Sequence, residues 1–191
     1  MKILLIDNYD SFTYNLVQII EQHGKNEFIV LPYDKVDNNV IAGYDKILLS
    51  PGPGIPDDFP KLEAFVRRFY KEKSFFGICL GYEAIALAFG AKLYKPGDVF
   101  HGVSKKTCIT QKEDYLFRDI NDGFQSGLYH SWAIDKSSFP EELIIIALAE
   151  DGIIMAISHR RYDIKGIQFH PESIMTKAGG KILFNWLEFH P

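Results

Sequence analysis

Short apolar runs alternate with amphipathic stretches through the first half of the chain. Lys2–Ile6 is a continuous apolar run that predicts a buried strand, ended by the polar stretch Asp7-Asn8-Tyr9-Asp10-Ser11. Phe12–His23 places Phe12, Leu16, Ile19 and Ile20 at helical spacing, with Asp10 or Ser11 as the expected cap and Gly24 as the stop. Phe28–Leu31 and Lys46–Leu49 predict two further strands, Phe59–Tyr70 a helix, Ser74–Ile78 a fourth strand, and Leu80–Phe89 a helix halted by Gly90. Strands separated by helices of this length imply parallel βαβ crossovers in one sheet.

Beyond Gly90 the pattern changes. Strand-like runs at Leu93, Val103–Thr110, Gly127–Tyr129, Leu143–Leu148, Ile153–Ser158 and Gly166–Gln168 follow one another with few helices between them. A last helix is expected near Ala178–Glu188. The predicted fold class is α/β: an open, twisted, mostly parallel sheet flanked by helices, with a mixed or antiparallel C-terminal extension. No repeat, low-complexity tract or Pro/Gly/Ser linker interrupts the pattern, so residues 1–191 are expected to form one domain.

Composition narrows the partners. The formal charge of −4 argues against a large nucleic-acid surface. No run approaches the ~18 apolar residues of a membrane span, and the N-terminal apolar run is too short for a secretory signal. The two cysteines, Cys79 and Cys108, suggest no disulfide framework. A reduced, cytoplasmic setting is expected.

The strongest chemical signal is Gly77-Ile78-Cys79-Leu80-Gly81, between the apolar run Phe75–Ile78 and the helical run that follows. It has the form of a strand–nucleophile–helix elbow with cysteine in the nucleophile's place. Flanking glycines allow a turn too tight for side chains. The helix that follows aims its positive end at the sulfur, which favours thiolate, and the Leu80 N–H can receive an oxyanion. A buried structural cysteine in a glycine-rich turn is the competing reading.

A thiolate needs a base that later protonates the leaving group. His170 leaves the predicted strand Gly166–Gln168 at a turn, and Pro171 holds it extended. The carboxyl ends of strands are where open α/β sheets place their ligands. Glu172 is spaced to hold the imidazole tautomer as a triad acid does. Ser50-Pro51-Gly52-Pro53-Gly54 follows the third strand, and its glycines let backbone approach a ligand closely, with the Gly54 N–H as a second oxyanion donor. That loop lacks the Gly-Lys-Ser/Thr ending of a phosphate loop. His101, His130 and Cys108 match no compact metal spacing.

Taken in order, these elements resemble the class I, triad-type glutamine amidotransferases. Within that family the likeness is to the small glutaminase subunits of anthranilate synthase and of 4-amino-4-deoxychorismate (p-aminobenzoate) synthase. It rests on Asp7-Asn8-Tyr9-Asp10-Ser11-Phe12-Thr13-Tyr14-Asn15, Ser50–Gly54, Gly77–Gly81, His101-Gly102, Tyr129-His130-Ser131 and Gly166-Ile167-Gln168-Phe169-His170-Pro171-Glu172-Ser173. The resemblance implies a triad of Cys79, His170 and Glu172, with glutamine lying against Gly52, Pro53, Gly54, Leu80, position 83, Ser131 and Trp132. It implies ammonia transfer to a chorismate-aminating large subunit in a hetero-oligomer, without metal or organic cofactor.

Two departures stand out. Tyr82-Glu83 occupies the place where the family usually has His-Gln, and Trp132 the place where it usually has Leu. An ionised Glu83 only accepts hydrogen bonds: it can hold a ligand ammonium, but it is expected to repel a ligand carboxylate and raise the thiol pKa. Two alternatives follow: a free-standing cysteine hydrolase of another γ-glutamyl compound, or a non-catalytic regulatory subunit. The intact triad argues against the second, and the Asp7–Asn15 stretch against the first.

Overall fold

The apolar runs at 2–6, 46–49 and 74–78 become strands buried on both faces, the run at 28–31 becomes a partly exposed edge strand, and the amphipathic stretches become the helices that cover the sheet. The computed structural model describes residues 1–97 and 101–190. In chain order the first half gives β1 (Lys2–Asp7), α1 (Thr13–His23), β2 (Glu27–Pro32), α2 (Asn38–Ala42), β3 (Lys46–Leu49), α3 (Pro60–Phe69), β4 (Ser74–Ile78) and α4 (Leu80–Ala88). The second half gives β5 (Leu93–Tyr94), β6 (Val103–Ile109), β7 (Phe124–Leu128), β8 (Ala133–Ile134), β9 (Leu143–Ala149), β10 (Ile154–His159), β11 (Ile164–Ile167) and α5 (Gly179–Glu188).

Among the described residues, nine strands form one sheet in the order β2-β1-β3-β4-β11-β10-β9-β6-β7. The half from β2 to β11 is parallel. From β11 through β10, β9 and β6 to β7 every pairing is antiparallel, as the change of pattern after Gly90 predicts. Alternation along β1 divides the core in two. Ile3 and Leu5 pack with Leu16 and Ile20 of α1 and with Ile182, Leu183 and Trp186 of α5. Leu4 and Ile6 pack on the other face with Leu62, Phe65 and Val66 of α3 and Ile85 of α4. Fully burying such a side chain contributes roughly 1.5–3 kcal/mol, which holds the sheet rigid beneath the loops at its carboxyl edge.

Several sequence expectations need correction. Neither Asp10 nor Ser11 caps α1: the N-cap is Phe12, which makes no side-chain cap. Asp10 instead accepts the Phe12 N–H at 2.7 Å and shapes the turn ahead of the helix. The strand expected at Gly127–Tyr129 begins earlier, at Phe124, and ends at Leu128. The strand expected at Gly166–Gln168 starts at Ile164 and stops at Ile167. Lys165 disguises that start, because a lysine reads as solvent-facing. It is buried here, with Asp114 Oδ2 at 2.5 Å and Ser158 Oγ at 2.7 Å from its ammonium. Two short elements, α2 and β8, carry too few residues for a periodic signal.

Candidate active site

β4 passes into α4 through Cys79, whose backbone is left-handed at φ 50° and ψ −104°. A non-glycine residue there costs on the order of 1–3 kcal/mol and persists only where its surroundings fix it. The Cys79 N–H donates to the Ile167 carbonyl of β11 at 2.9 Å, and the Cys79 carbonyl accepts the Glu83 N–H at 2.9 Å. Both flanking glycines are sterically required. A Cβ on Gly77 would lie 2.6 Å from the Tyr82 nitrogen, and one on Gly81 would lie 2.5 Å from the Leu49 Cβ and carbonyl oxygen. Gly81→Ala should therefore destabilise the fold by about 1–3 kcal/mol, read as a lowered thermal midpoint. Gly180→Ala in α5, where a Cβ meets nothing within 4 Å, should hold or raise it. Equal midpoints for the two variants would contradict this account of the elbow.

Beyond the end of β11, the His170 N–H donates to the Gly127 carbonyl at 3.0 Å, tying the loop to β7. Its Nδ1 lies 2.6 Å from Glu172 Oε1, with the two side chains 4% and 1% exposed. Tyr129 and Phe12 meet the imidazole edge to face, at 4.9 and 6.3 Å between ring centres. With Nδ1–H given to Glu172, Nε2 presents a lone pair, and no group among the described residues donates to it. His170 and Cys79 line one cavity of about 650 Å³. Gly52, Pro53, Gly54, Leu80, Glu83, Ser131 and Trp132 line it as well, while Glu172 stands behind His170. A Cβ on Gly52 would collide with Leu80 and Asn8, so the glycine is what lets the proline loop close over the elbow.

The electrostatics depart from the expectation of a depressed thiol pKa. Burial pushes the Cys79 thiol well up, and the carboxyls of Glu83, Glu172 and Asp10 add to the rise, with the Leu80 N–H acting against it. Desolvation outweighs the helix end because Cys79, though it lines the cavity, is only 7% exposed. A thiol pushed up in this way is not ionised by the helix end alone. Glu83 also differs from expectation. Burial raises its carboxyl to about 8, against a smaller lowering by the Gln168 N–H, so it is mainly protonated at neutral pH.

Tyr82 is not part of the site. It is fully buried under the sheet, with its hydroxyl donated to the Ile154 carbonyl at 2.8 Å. Trp132 lies at the cavity wall, with the Lys95 ammonium 4.9 Å from its ring centre. The loop there is braced by His130, whose Nδ1 is 2.7 Å from the Trp132 carbonyl and which burial keeps neutral, its pKa lowered to about 4. Gln168, which sequence reasoning read only as a strand residue, stands beneath the sulfur: its Nε2 lies 3.9 Å from Cys79 Sγ and 3.1 Å from Glu83 Oε1. Asp10 also reaches the cavity, from the β1–α1 loop. Cys108 lies half-buried in β6, outside the cavity lining. No cluster of metal-ligating side chains occurs among the described residues.

A cysteine elbow, a carboxylate-bound histidine and a glycine–proline loop thus meet at one cavity on the carboxyl edge of an open α/β sheet. The family model "Glutamine amidotransferase class-I" matches residues 4–189, and the chain belongs to that family. It is 40% identical over 192 residues to "Anthranilate synthase component 2" of Cyanophora paradoxa, covering 97% of each chain. It is 39% identical to "Aminodeoxychorismate synthase component 2" of Klebsiella aerogenes, covering 97% of this chain and 98% of the relative. A solved glutamine amidotransferase from Thermotoga maritima superposes with a TM-score of 0.74 over 98% of this chain and 81% of that one, at 18% identity, a likeness of fold.

Proposed function

We propose that this chain is the glutaminase subunit of a chorismate-aminating synthase. The observation that carries the reading is the buried His170–Glu172 pair at 2.6 Å on the same cavity as the strained elbow Cys79. His170 Nε2 takes the thiol proton, and the sulfur attacks the side-chain carboxamide of L-glutamine. The tetrahedral oxyanion is received by the Leu80 N–H, with the Gly54 N–H as the second donor. The intermediate collapses to a γ-glutamyl thioester as ammonia leaves with the proton from His170. Water, deprotonated by His170, then hydrolyses the thioester to glutamate and regenerates Cys79. Gly52, Pro53, Ser131 and Trp132 frame the ligand, and none of these steps calls on a metal or organic cofactor.

The exposed apolar surface supports the subunit reading. Tyr9 and Phe12, which line the cavity, are 54% and 37% exposed, and Tyr14, two residues further along the chain, is 70% exposed. Large apolar groups gathered at one rim mark a protein contact. The large synthase subunit covers this rim and receives ammonia there, yielding anthranilate or 4-amino-4-deoxychorismate in the cytoplasm. No described helix is long and apolar enough to cross a membrane.

The test is coupled turnover. The isolated chain should hydrolyse glutamine slowly, accelerate when mixed with its synthase subunit, and deliver nitrogen into an aminated chorismate product identified by mass. Full glutaminase activity without any partner would overturn the subunit reading and favour a free-standing hydrolase.

A further inference from the structure

Glu83, one helical turn past the nucleophile, is 3% exposed, and among the described residues its side chain has one hydrogen bond, from Gln168 Nε2 to Oε1 at 3.1 Å. The same Gln168 nitrogen lies 3.9 Å from Cys79 Sγ. An amide nitrogen carries two N–H groups, so Gln168 can serve the carboxyl and the sulfur at once. Gln168 Oε1 is itself buried without a donor.

The titratable groups around the site are Tyr9 and Asp10 from the β1–α1 loop, Cys79, Lys95 past β5, His101, Tyr129 and His130 past β7, and His170 with Glu172 behind it. Tyr82 adjoins Glu83 in the chain but gives its hydroxyl to the Ile154 carbonyl. Glu83 responds to burial, which raises its pKa, and to the Gln168 N–H, which lowers it. A buried carboxylate facing only a neutral amide is costly, and such a group keeps its proton instead.

We propose that Glu83 and Gln168 form one neutral acid–amide unit beneath Cys79, in which the carboxyl keeps its proton so that the negative charge beneath the cavity falls on the sulfur alone. The proposal deepens the preceding section, since it rests on Cys79 being the nucleophile. Glu83 is then a positioning residue. Protonated, it matches glutamine in length and offers one donor and one acceptor, which explains how a glutamate can stand at this position beside a thiolate. The proton released by Cys79 goes to His170 Nε2, and Glu83 exchanges none during turnover. Ionised, Glu83 would set a second negative charge against the thiolate across Gln168, so the two groups titrate as a coupled pair.

The test is alkylation of Cys79 by iodoacetamide, a neutral reagent, followed by peptide mapping of the full chain as wild type and as Glu83→Gln. At about pH 7 the two rates should agree within about twofold, and by about pH 9.5 the variant should react about tenfold or more faster, as removal of a nearby like charge requires. A rate ratio that does not change with pH would overturn the proposal, and so would a tenfold gap already present near pH 7. The infrared spectrum of the wild-type chain supplies a second measurement that needs no variant. A protonated-carboxyl carbonyl band should be present at neutral pH and fade above about pH 8, where Glu83 titrates, and its absence at neutral pH would overturn the proposal. Neither measurement uses glutamine. A wild type that passes both yet hydrolyses no glutamine would sink the proposed function alone, and an active glutaminase that fails either would sink this inference alone.

Discussion

Cys79→Ser should abolish glutamine-dependent synthesis by the assembled enzyme while leaving synthesis from added ammonia intact. Serine fits the elbow's volume, so the fold and the partner surface are preserved. Its hydroxyl, however, is a far weaker acid than a thiol and yields no nucleophile in a pocket where even the thiol is pushed up by burial. Loss of a triad nucleophile costs on the order of 10⁴–10⁶ in kcat, which places the variant below detection. A glutamine-like diazo-ketone should label Cys79 well ahead of Cys108, because the Cys79 sulfur shares a cavity with a base and the Cys108 sulfur does not. Retained glutamine-dependent turnover in Cys79→Ser, or peptide maps with Cys108 modified and Cys79 untouched, would remove Cys79 from the mechanism.

The sequence was most legible where one physical requirement dominated. The runs at Lys46–Leu49 and Ser74–Ile78 are apolar after their first residue because parallel strands are covered on both faces, and their limits coincide with β3 and β4. The elbow could be read because only glycine fits at Gly77 and Gly81. What stayed hidden depended on groups distant in sequence. Lys165 reads as solvent-facing until Asp114 and Ser158 are placed against it. Glu83 reads as an anion until its burial and its amide partner are known, since both arise from the meeting of α4 with the end of β11. Gln168 belonged to a recognised motif, yet strand alternation gave no reason to send its amide under the sulfur. Tyr82, three residues past Cys79, faces the core because helical geometry turns neighbouring residues to different faces.

Glu172→Gln should lower kcat for glutamine by on the order of 10³–10⁴ with the partner present, and change the fold little. The substitution keeps the side chain's shape in a pocket where Glu172 is 1% exposed, so packing survives and the thermal midpoint should move by only a few degrees. What changes is the proton on the imidazole. A carboxylate only accepts, so it fixes Nδ1–H on His170 and leaves the Nε2 lone pair facing the cavity. A carboxamide can donate through its NH₂ group, stabilising the opposite tautomer, in which Nε2 carries the hydrogen and cannot take the thiol proton. It also removes the negative charge that stabilises the imidazolium formed when Cys79 ionises, and a defect of this kind in a triad costs about 10⁴. Asp10 provides the remaining carboxyl near His170, but burial raises its pKa and one oxygen is committed to the Phe12 N–H. Asp10 therefore substitutes poorly for Glu172, and adding Asp10→Asn to Glu172→Gln should deepen the defect by less than tenfold. Steady-state kinetics at saturating glutamine decide the matter: a loss under about tenfold in Glu172→Gln would mean that His170 holds its tautomer without this carboxylate, and the triad would reduce to a Cys79–His170 dyad.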